Sequence, residues 1–364
     1  MMCFRDCAYW NKELYFYTIK EGLLSKININ DGKMEIIELD NKNVLNRYDF
    51  ISDMVSCNNN IYAFTKGGDI AIKYDFSHNT TTEIVLECGY FPWGNYALIA
   101  SYKSKLYIFP RGKKVIVILD CATNKTERKA LDIPDIDKFQ WGCILGKDVW
   151  LFPQNGINAV HIDLKNLWSE KIHLGFEIND LVHVAECEDK IYLLMRNTGI
   201  YQLDTKHKDV SFVRINVNGE GFCRIVATPK NVVLLPKWEN DIEIINFENM
   251  QIEKYNNYPQ GFKYIGNERE SKYMGSCDGD GIRYFAMQSA NHILCIDLKS
   301  GNIGWIKPRL VSSEEKNRYL YEHDVNSFFE ENCSLNCFFK IIKSDYVRSN
   351  SISKIGENIW ESIK

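Results

Sequence analysis

The chain has 364 residues, of which 45% are hydrophobic and 25% charged, with a net charge of −4; this is an ordinary globular balance with no basic surplus for nucleic acid. No apolar stretch is long enough to span a bilayer or act as an export signal. The twelve cysteines stand singly without a C-x-x-C, so a reduced, cytoplasmic protein without a disulfide framework is expected.

The first predicted unit opens with Cys3 to Tyr9, small and apolar, and runs into the apolar block Leu14-Tyr15-Phe16-Tyr17. A polar turn leads to a strand ending Ile27-Asn28, then to the turn Asn30-Asp31-Gly32 and a further strand, Met34 to Leu39. The same order returns down the chain. The later blocks are Ile61-Tyr62-Ala63-Phe64, Leu106-Tyr107-Ile108-Phe109, Val149-Trp150-Leu151-Phe152, Ile191-Tyr192-Leu193-Leu194, Val232-Val233-Leu234-Leu235 and Ile282-Arg283-Tyr284-Phe285. Their starts are 47, 45, 43, 42, 41 and 50 residues apart. Before each block lies a candidate inner strand: Ile51 to Cys57, Asn95 to Ser101, Phe139 to Leu145, Leu181 to Cys187, Phe222 to Thr228 and Lys272 to Cys277. After each block a strand ends in a hydrophobe plus Asp or Asn: Tyr74-Asp75, Leu119-Asp120, Ile162-Asp163, Leu203-Asp204, Ile245-Asn246 and Ile296-Asp297. Asp and Asn suit that place because their side chains accept hydrogen bonds from backbone N–H groups two residues on.

A period in the forties with four strand signals per unit predicts an all-β, seven-bladed β-propeller of four-stranded antiparallel blades over residues 1–308. All four strands of every blade come in sequence order. No strand exchange is therefore expected where the ring closes, and the seam should be held by side-chain packing alone. After Pro308 the pattern changes. Ser313-Glu314-Glu315-Lys316 reads as a helix start, and apolar residues from Leu335 to Ile342 and from Ile352 to Ile363 recur at helical spacing. Residues 309–364 are expected to form a helical C-terminal appendage, packed on the propeller or on a partner.

The units resemble kelch-like, galactose-oxidase-type propellers, on blocks such as Lys105-Leu106-Tyr107-Ile108-Phe109 followed by Ile118-Leu119-Asp120. They depart from the kelch pattern at its double glycine, whose matching positions are Thr18, Thr65, Pro110, Pro153, Met195, Pro236 and Ala286. No functional residue carries over. The resemblance implies binding on the rim shared by the loops after the second strands and those leading into the inner strands.

That rim is predicted to be basic and aromatic. Just after the blocks stand Lys20, Lys66, Arg111, Gln154, Arg196, Lys237 and Met287, a cation in five of seven units. The approaches to the inner strands add Arg5, Arg47, Arg224 and Arg269, with Tyr48, Phe50, Trp93, Trp141, Phe222 and Tyr264. Lys66, Arg111, Arg196, Lys237, Trp93, Trp141, Arg224 and Arg5 are the candidate binding residues, since guanidinium groups grip anions bidentately and indoles offer a stacking face. Solvated turns also carry lysine and arginine for solubility alone.

Other constellations are weaker. Asp180 and His183 lie three apart on one predicted strand and point to opposite faces. Asp49 and Asp53 are four apart and could face the same side near the channel, but loop or turn carboxylates are the expectation. Asp278-Gly279-Asp280-Gly281 lacks the distal glutamate of a calcium loop and reads as a glycine-rich turn. The seven histidines show no metal-ligand spacing, and neither a metal nor a cofactor is expected. The leading functional expectation is a non-catalytic binding or scaffold module taking a protein segment or a polar or anionic ligand at the rim, with no nucleic acid partner. The alternative is an enzyme acting on a carbohydrate or small polar substrate (an epimerase, lyase or hydrolase) at the channel mouth. An enzyme should show a deep axial pocket with a charge-perturbed carboxylate, His or Tyr beside the basic groups, and a scaffold a wider, shallower rim.

Overall fold

Each apolar block forms the second strand of a four-stranded antiparallel sheet, and seven such sheets surround an axis as the blades of a propeller. This computed structural model describes residues 6–17, 24–37, 51–65, 69–86, 96–131, 139–214, 219–237, 241–262, 273–287 and 290–310. The inner strands are Cys7–Trp10, Ile51–Cys57, Tyr96–Tyr102, Phe139–Leu145, Leu181–Cys187, Phe222–Ala227 and Tyr273–Gly279. Each packs against the inner strands of both neighbouring blades, with blade seven against blade one. The single helical element among the described residues is a short 3-10 turn, Gly219–Gly221. No helix there is long and apolar enough to cross a membrane.

The blocks are apolar throughout because a blade is covered on both faces. Along a strand, side chains alternate between faces. Leu14 and Phe16 therefore pack towards blade seven, while Tyr15 and Tyr17 pack towards blade two. Tyr62 and Phe64 of blade two meet Leu106 and Ile108 of blade three, and the alternation continues round the ring. The result is one hydrophobic cluster between each pair of adjacent blades.

The turn chemistry repeats as faithfully. In all seven blades the Asp or Asn closing the third strand accepts a hydrogen bond from the N–H two residues on: Asn28 from Asn30, Asp75 from Ser77, Asp120 from Ala122, Asp163 from Lys165, Asp204 from Lys206, Asn246 from Glu248 and Asp297 from Lys299. Asp278–Gly281 is a hairpin turn, with Asp280 at φ 51° and Gly281 at φ 78°.

Two expectations are corrected. The seam is not held by side chains alone. Arg309–Leu310 leaves blade seven and pairs in parallel with Lys33–Met34, adding a fifth strand to the outer edge of blade one. The Arg309 N–H donates to Gly32 O at 2.8 Å, and its guanidinium reaches Asp31 O. A two-residue strand has no periodicity to read, which is why the pattern missed it. The block of blade seven is also one residue out of register. In the other blades the residue before the block pairs with the terminal Asp or Asn of the third strand; in blade seven that residue is Ile282, opposite Asp297, so the aligned block starts at Arg283. Residues 311–364, where the helical tail was expected, lie outside the described residues.

Candidate functional site

In blades two to seven the ladder between first and second strands slips near the start of the inner strand. Bulges of this kind re-aim side chains. Immediately past the slip, opposite the fourth residue of the block, stand Asp53, Leu98, Trp141, His183 and Arg224 in blades two to six. Asp6 holds the equivalent place in blade one and Gly275 in blade seven. Each of the seven lies eleven residues before the fourth residue of its block. All seven line one axial cavity of about 400 Å³, which is also walled by Arg111, Ser52, Tyr96, Ser276, Cys277 and Asp278.

The charges in this cavity are incompletely matched. Asp6 Oδ2 accepts a hydrogen bond from the Met54 N–H at 2.7 Å, which ties blade one to blade two. Burial, and then the nearby Asp53 carboxylate, push the Asp6 pKa well above the ordinary aspartate value. Burial also raises Asp53, against Ser52, Arg111 and Arg224, which favour its charge. Two buried carboxyls that feel each other's charge resist being ionised together. The Arg111 guanidinium lies 4.3 Å from the Trp141 ring centre and that of Arg224 lies 5.0 Å from it. Burial lowers both arginines, Arg111 to about 10. His183 meets Trp141 edge-on at 4.9 Å, and its Nδ1 faces the Ile225 N–H at 3.5 Å, placing the ring proton on Nε2. Burial, Arg224, Arg283 and Arg111 hold its pKa well below the usual histidine value, so the ring is neutral.

Four buried polar atoms around this cavity have no protein partner among the described residues: Asp6 Oδ1, Asp53 Oδ2, Arg111 Nε and Trp141 Nε1. Trp141 and Arg224 also wall a second, rim-side cavity of about 230 Å³ between blades four, five and six, with Gln140, Gln154, Asp180, Arg196 and Lys237.

The residues expected from sequence therefore fall into two neighbouring places. Arg111, Trp141 and Arg224 surround the axial cavity; Arg196 and Lys237 belong to the rim cavity. Arg196 Nε stands 3.6 Å from Asp180 Oδ2. Lys66, Trp93 and Arg5, together with Asp49, lie outside the described residues. For Asp53 the preferred reading as a loop carboxylate is corrected: it stands on an inner strand and lines the cavity, as the channel-side alternative had it. Asp180 and His183 form no pair, as their spacing indicated, but His183 lines the cavity in its own right. The sequence reading missed Asp6 and His183 as site residues. The fixed offset of eleven from the block would have found both.

Three residues further along the inner strands, about 10 Å away at ~3.3 Å per residue, the charges are paired. Arg283 donates to Asp278 through Nε and Nη2, both at 2.7 Å, and through Nη2 to Glu186 at 2.7 Å, linking blade seven to blade five. Its burial opposes the charge, but Glu186 and Asp278 outweigh that and push its pKa up. Among the described residues no group of three or more His, Cys, Asp or Glu is placed to hold a metal ion.

No family model matches the chain, and no curated protein matches it. Solved structures do. A streptogramin B lyase aligns with TM-score 0.57 and 15% identity over 79% of this chain and 91% of its own. A catalytically inactive virginiamycin B lyase from Staphylococcus aureus, solved with quinupristin, aligns with TM-score 0.58 and 14% identity over 80% and 94%. BamB from Moraxella catarrhalis aligns with TM-score 0.52 and 10% identity over 79% and 83%. At such identities the likeness carries the propeller fold alone.

Proposed function

We propose that this propeller binds a small anionic, polar molecule in the axial cavity and moves a proton on it. The observation that carries this reading is the set of four unpartnered polar atoms, two acidic and two donating, buried on side chains that line one cavity of about 400 Å³. Buried polar groups left unpaired cost stability and are kept where something else pairs with them. Arg111 and Arg224 supply the grip on a carboxylate or phosphate, and the Trp141 ring a face for a sugar-like skeleton. Asp6 and Asp53, whose charges oppose each other, supply an acid and a base lining one cavity, and neutral His183 offers an Nε2–H donor. This fits the alternative weighed from sequence, an enzyme acting on a small polar substrate, better than a shallow scaffold rim. The lyases among the similar structures agree with it at the level of fold. A kelch-like grouping rests on the block pattern alone, and a reducing, cytoplasmic setting on the free thiols.

Calorimetric titration with a panel of carboxylates, phosphate monoesters and sugar acids tests the binding step, and an NMR time course of any ligand found tests the chemistry. Arg224→Gln should weaken binding at least tenfold. Asp53→Asn should keep binding and abolish conversion. Absence of binding across the panel would refute the reading.

The rim cavity favours a second reading. Arg196 and Lys237 flank an open recess that suits an acidic protein segment, as the rim expectation held. The two readings share Trp141 and Arg224 but differ in which outer cations matter.

A further inference from the structure

We propose that Cys7 and Cys277 are an oxidisable thiol pair, reached through the axial cavity by small-molecule disulfides and joined by them into a bond that closes the ring covalently. Cys7 lies on the inner strand of blade one and Cys277 on the inner strand of blade seven, 270 residues apart, with their sulfurs 3.2 Å from each other. They sit at the inner edge of the seam, whose outer edge is already fastened by Arg309–Leu310. Cys7 is fully buried, whereas Cys277 lines the axial cavity. One thiol thus borders the cavity and the other stands behind it.

The chemistry balances as two exchanges. The Cys277 thiol gives up its proton and its sulfur attacks a disulfide RSSR, forming a Cys277–S–SR bond and releasing one RSH. The Cys7 sulfur then attacks the Cys277 sulfur, forming the Cys7–Cys277 bond and releasing a second RSH. Two protein thiols lose two electrons and two protons, and RSSR takes them up. Burial and the nearby Asp6 and Asp278 carboxylates keep both thiols protonated, so oxidation is slow and follows a sustained disulfide load rather than a brief one.

The molecule holds its own control. Cys57 and Cys121 join blades two and three with their sulfurs 3.1 Å apart, but they are 5% and 1% exposed and line no cavity described above. If access through the axial cavity governs, this second pair stays reduced while the first oxidises.

The test uses the full chain, reduced and then equilibrated with hydroxyethyl disulfide, alkylated and digested for peptide mapping. The proposal expects a Cys7–Cys277 cross-linked peptide, no Cys57–Cys121 peptide, and a rise in melting temperature on oxidation. A staple across so long a loop restricts the unfolded chain strongly. Cys277→Ser and, separately, Cys7→Ser should lose both the cross-link and the rise. No cross-link under excess disulfide, prior oxidation of Cys57–Cys121, or a rise in melting temperature that persists in Cys277→Ser would overturn it. The idea does not depend on what the cavity binds.

Discussion

At the mouth of the channel Arg111, Arg224, Asp6 and Asp53 face one cavity and form no ion pair with one another. About 10 Å further along the same strands, Arg283 is held by Asp278 and Glu186 with three contacts at 2.7 Å. The two layers use the same kinds of charge in the same ring. In the lower one Nε and Nη2 of Arg283 are spent on carboxylates of the protein, and the contact links blades five and seven. In the upper one the charges are buried yet left open. Burying an arginine is stable when its partners are complete and costly when they are not. The upper layer therefore carries a stability cost that the fold itself does not require, and a ligand is the natural recipient of the missing contacts.

The strongest way to break this contrast is to remove an arginine from each layer. Arg283→Met leaves the half-buried Glu186 and the exposed Asp278 without their cation, and should lower stability by about 1–3 kcal/mol in denaturant unfolding. Arg224→Met should cost about 1 kcal/mol or less, because the raised pKa values of Asp6 and Asp53 let either carboxyl take up a proton when the cation is lost. Equal losses would show that both layers are structural.

Gly279→Ala probes the lower layer by shape instead of charge. A Cβ there would stand 2.2 Å from the Tyr9 ring, which stacks on Tyr284 across the seam. Overpacking of this sort should cost about 1–3 kcal/mol.

Asp6→Asn sharpens the contrast from the other side, since it should stabilise the protein by about 0.5–2 kcal/mol at neutral pH while abolishing conversion of the ligand. The sign follows from linkage. The folded pKa of Asp6 is raised, so its protonated form favours folding below the unfolded value, and that contribution is lost as pH rises through the folded pKa. The gain of Asp6→Asn over the unsubstituted protein should therefore grow from acid to neutral pH. His183 works against acid: its folded pKa is depressed, so stability falls as pH drops below about 6.5. That loss is common to both proteins and cancels in their difference. A gain that shrinks towards neutral pH would contradict the raised carboxyl.

How far the sequence foretold these layers depends on which signal each one leaves. The second strands and the seven turn residues were legible because burial on both faces demands an unbroken apolar block, and a tight turn demands Asp or Asn at its first position. Arg111 was legible as part of a recurring polar fringe just after those blocks, and Trp141 and Arg224 as basic and aromatic residues at the approaches to the inner strands. His183 was not, and Asp53 only as the less favoured of two readings, because a bulge breaks the two-residue alternation just before them; Asp6 precedes its strand and shows no alternation of its own. Arg283 was misread for the opposite reason. It occupies the first apolar place of its block, and the neighbouring Ile282 lends the pattern a false start one residue early. The parallel strand Arg309–Leu310 leaves no periodic trace at all.

The smallest expected effect decides between the two functional readings. Arg196→Gln with Lys237→Gln removes two cations from the rim cavity, where each is partly solvated, so stability should stay within about 0.5 kcal/mol. Neither residue lines the axial cavity, and Trp141 and Arg224 remain in place as its wall. Binding of a small anion by the axial site should then be unchanged within about a factor of two, which is a few tenths of a kcal/mol. A partner that docks an acidic segment across the rim would instead lose the attraction of both cations and show a slower, more salt-sensitive association. Titration of the double variant with whichever small ligand the panel identifies therefore separates the layers within the mouth itself. Retained affinity assigns recognition to Arg111 and Arg224 over Trp141, and a loss of tenfold or more would move the centre of recognition outward to the rim.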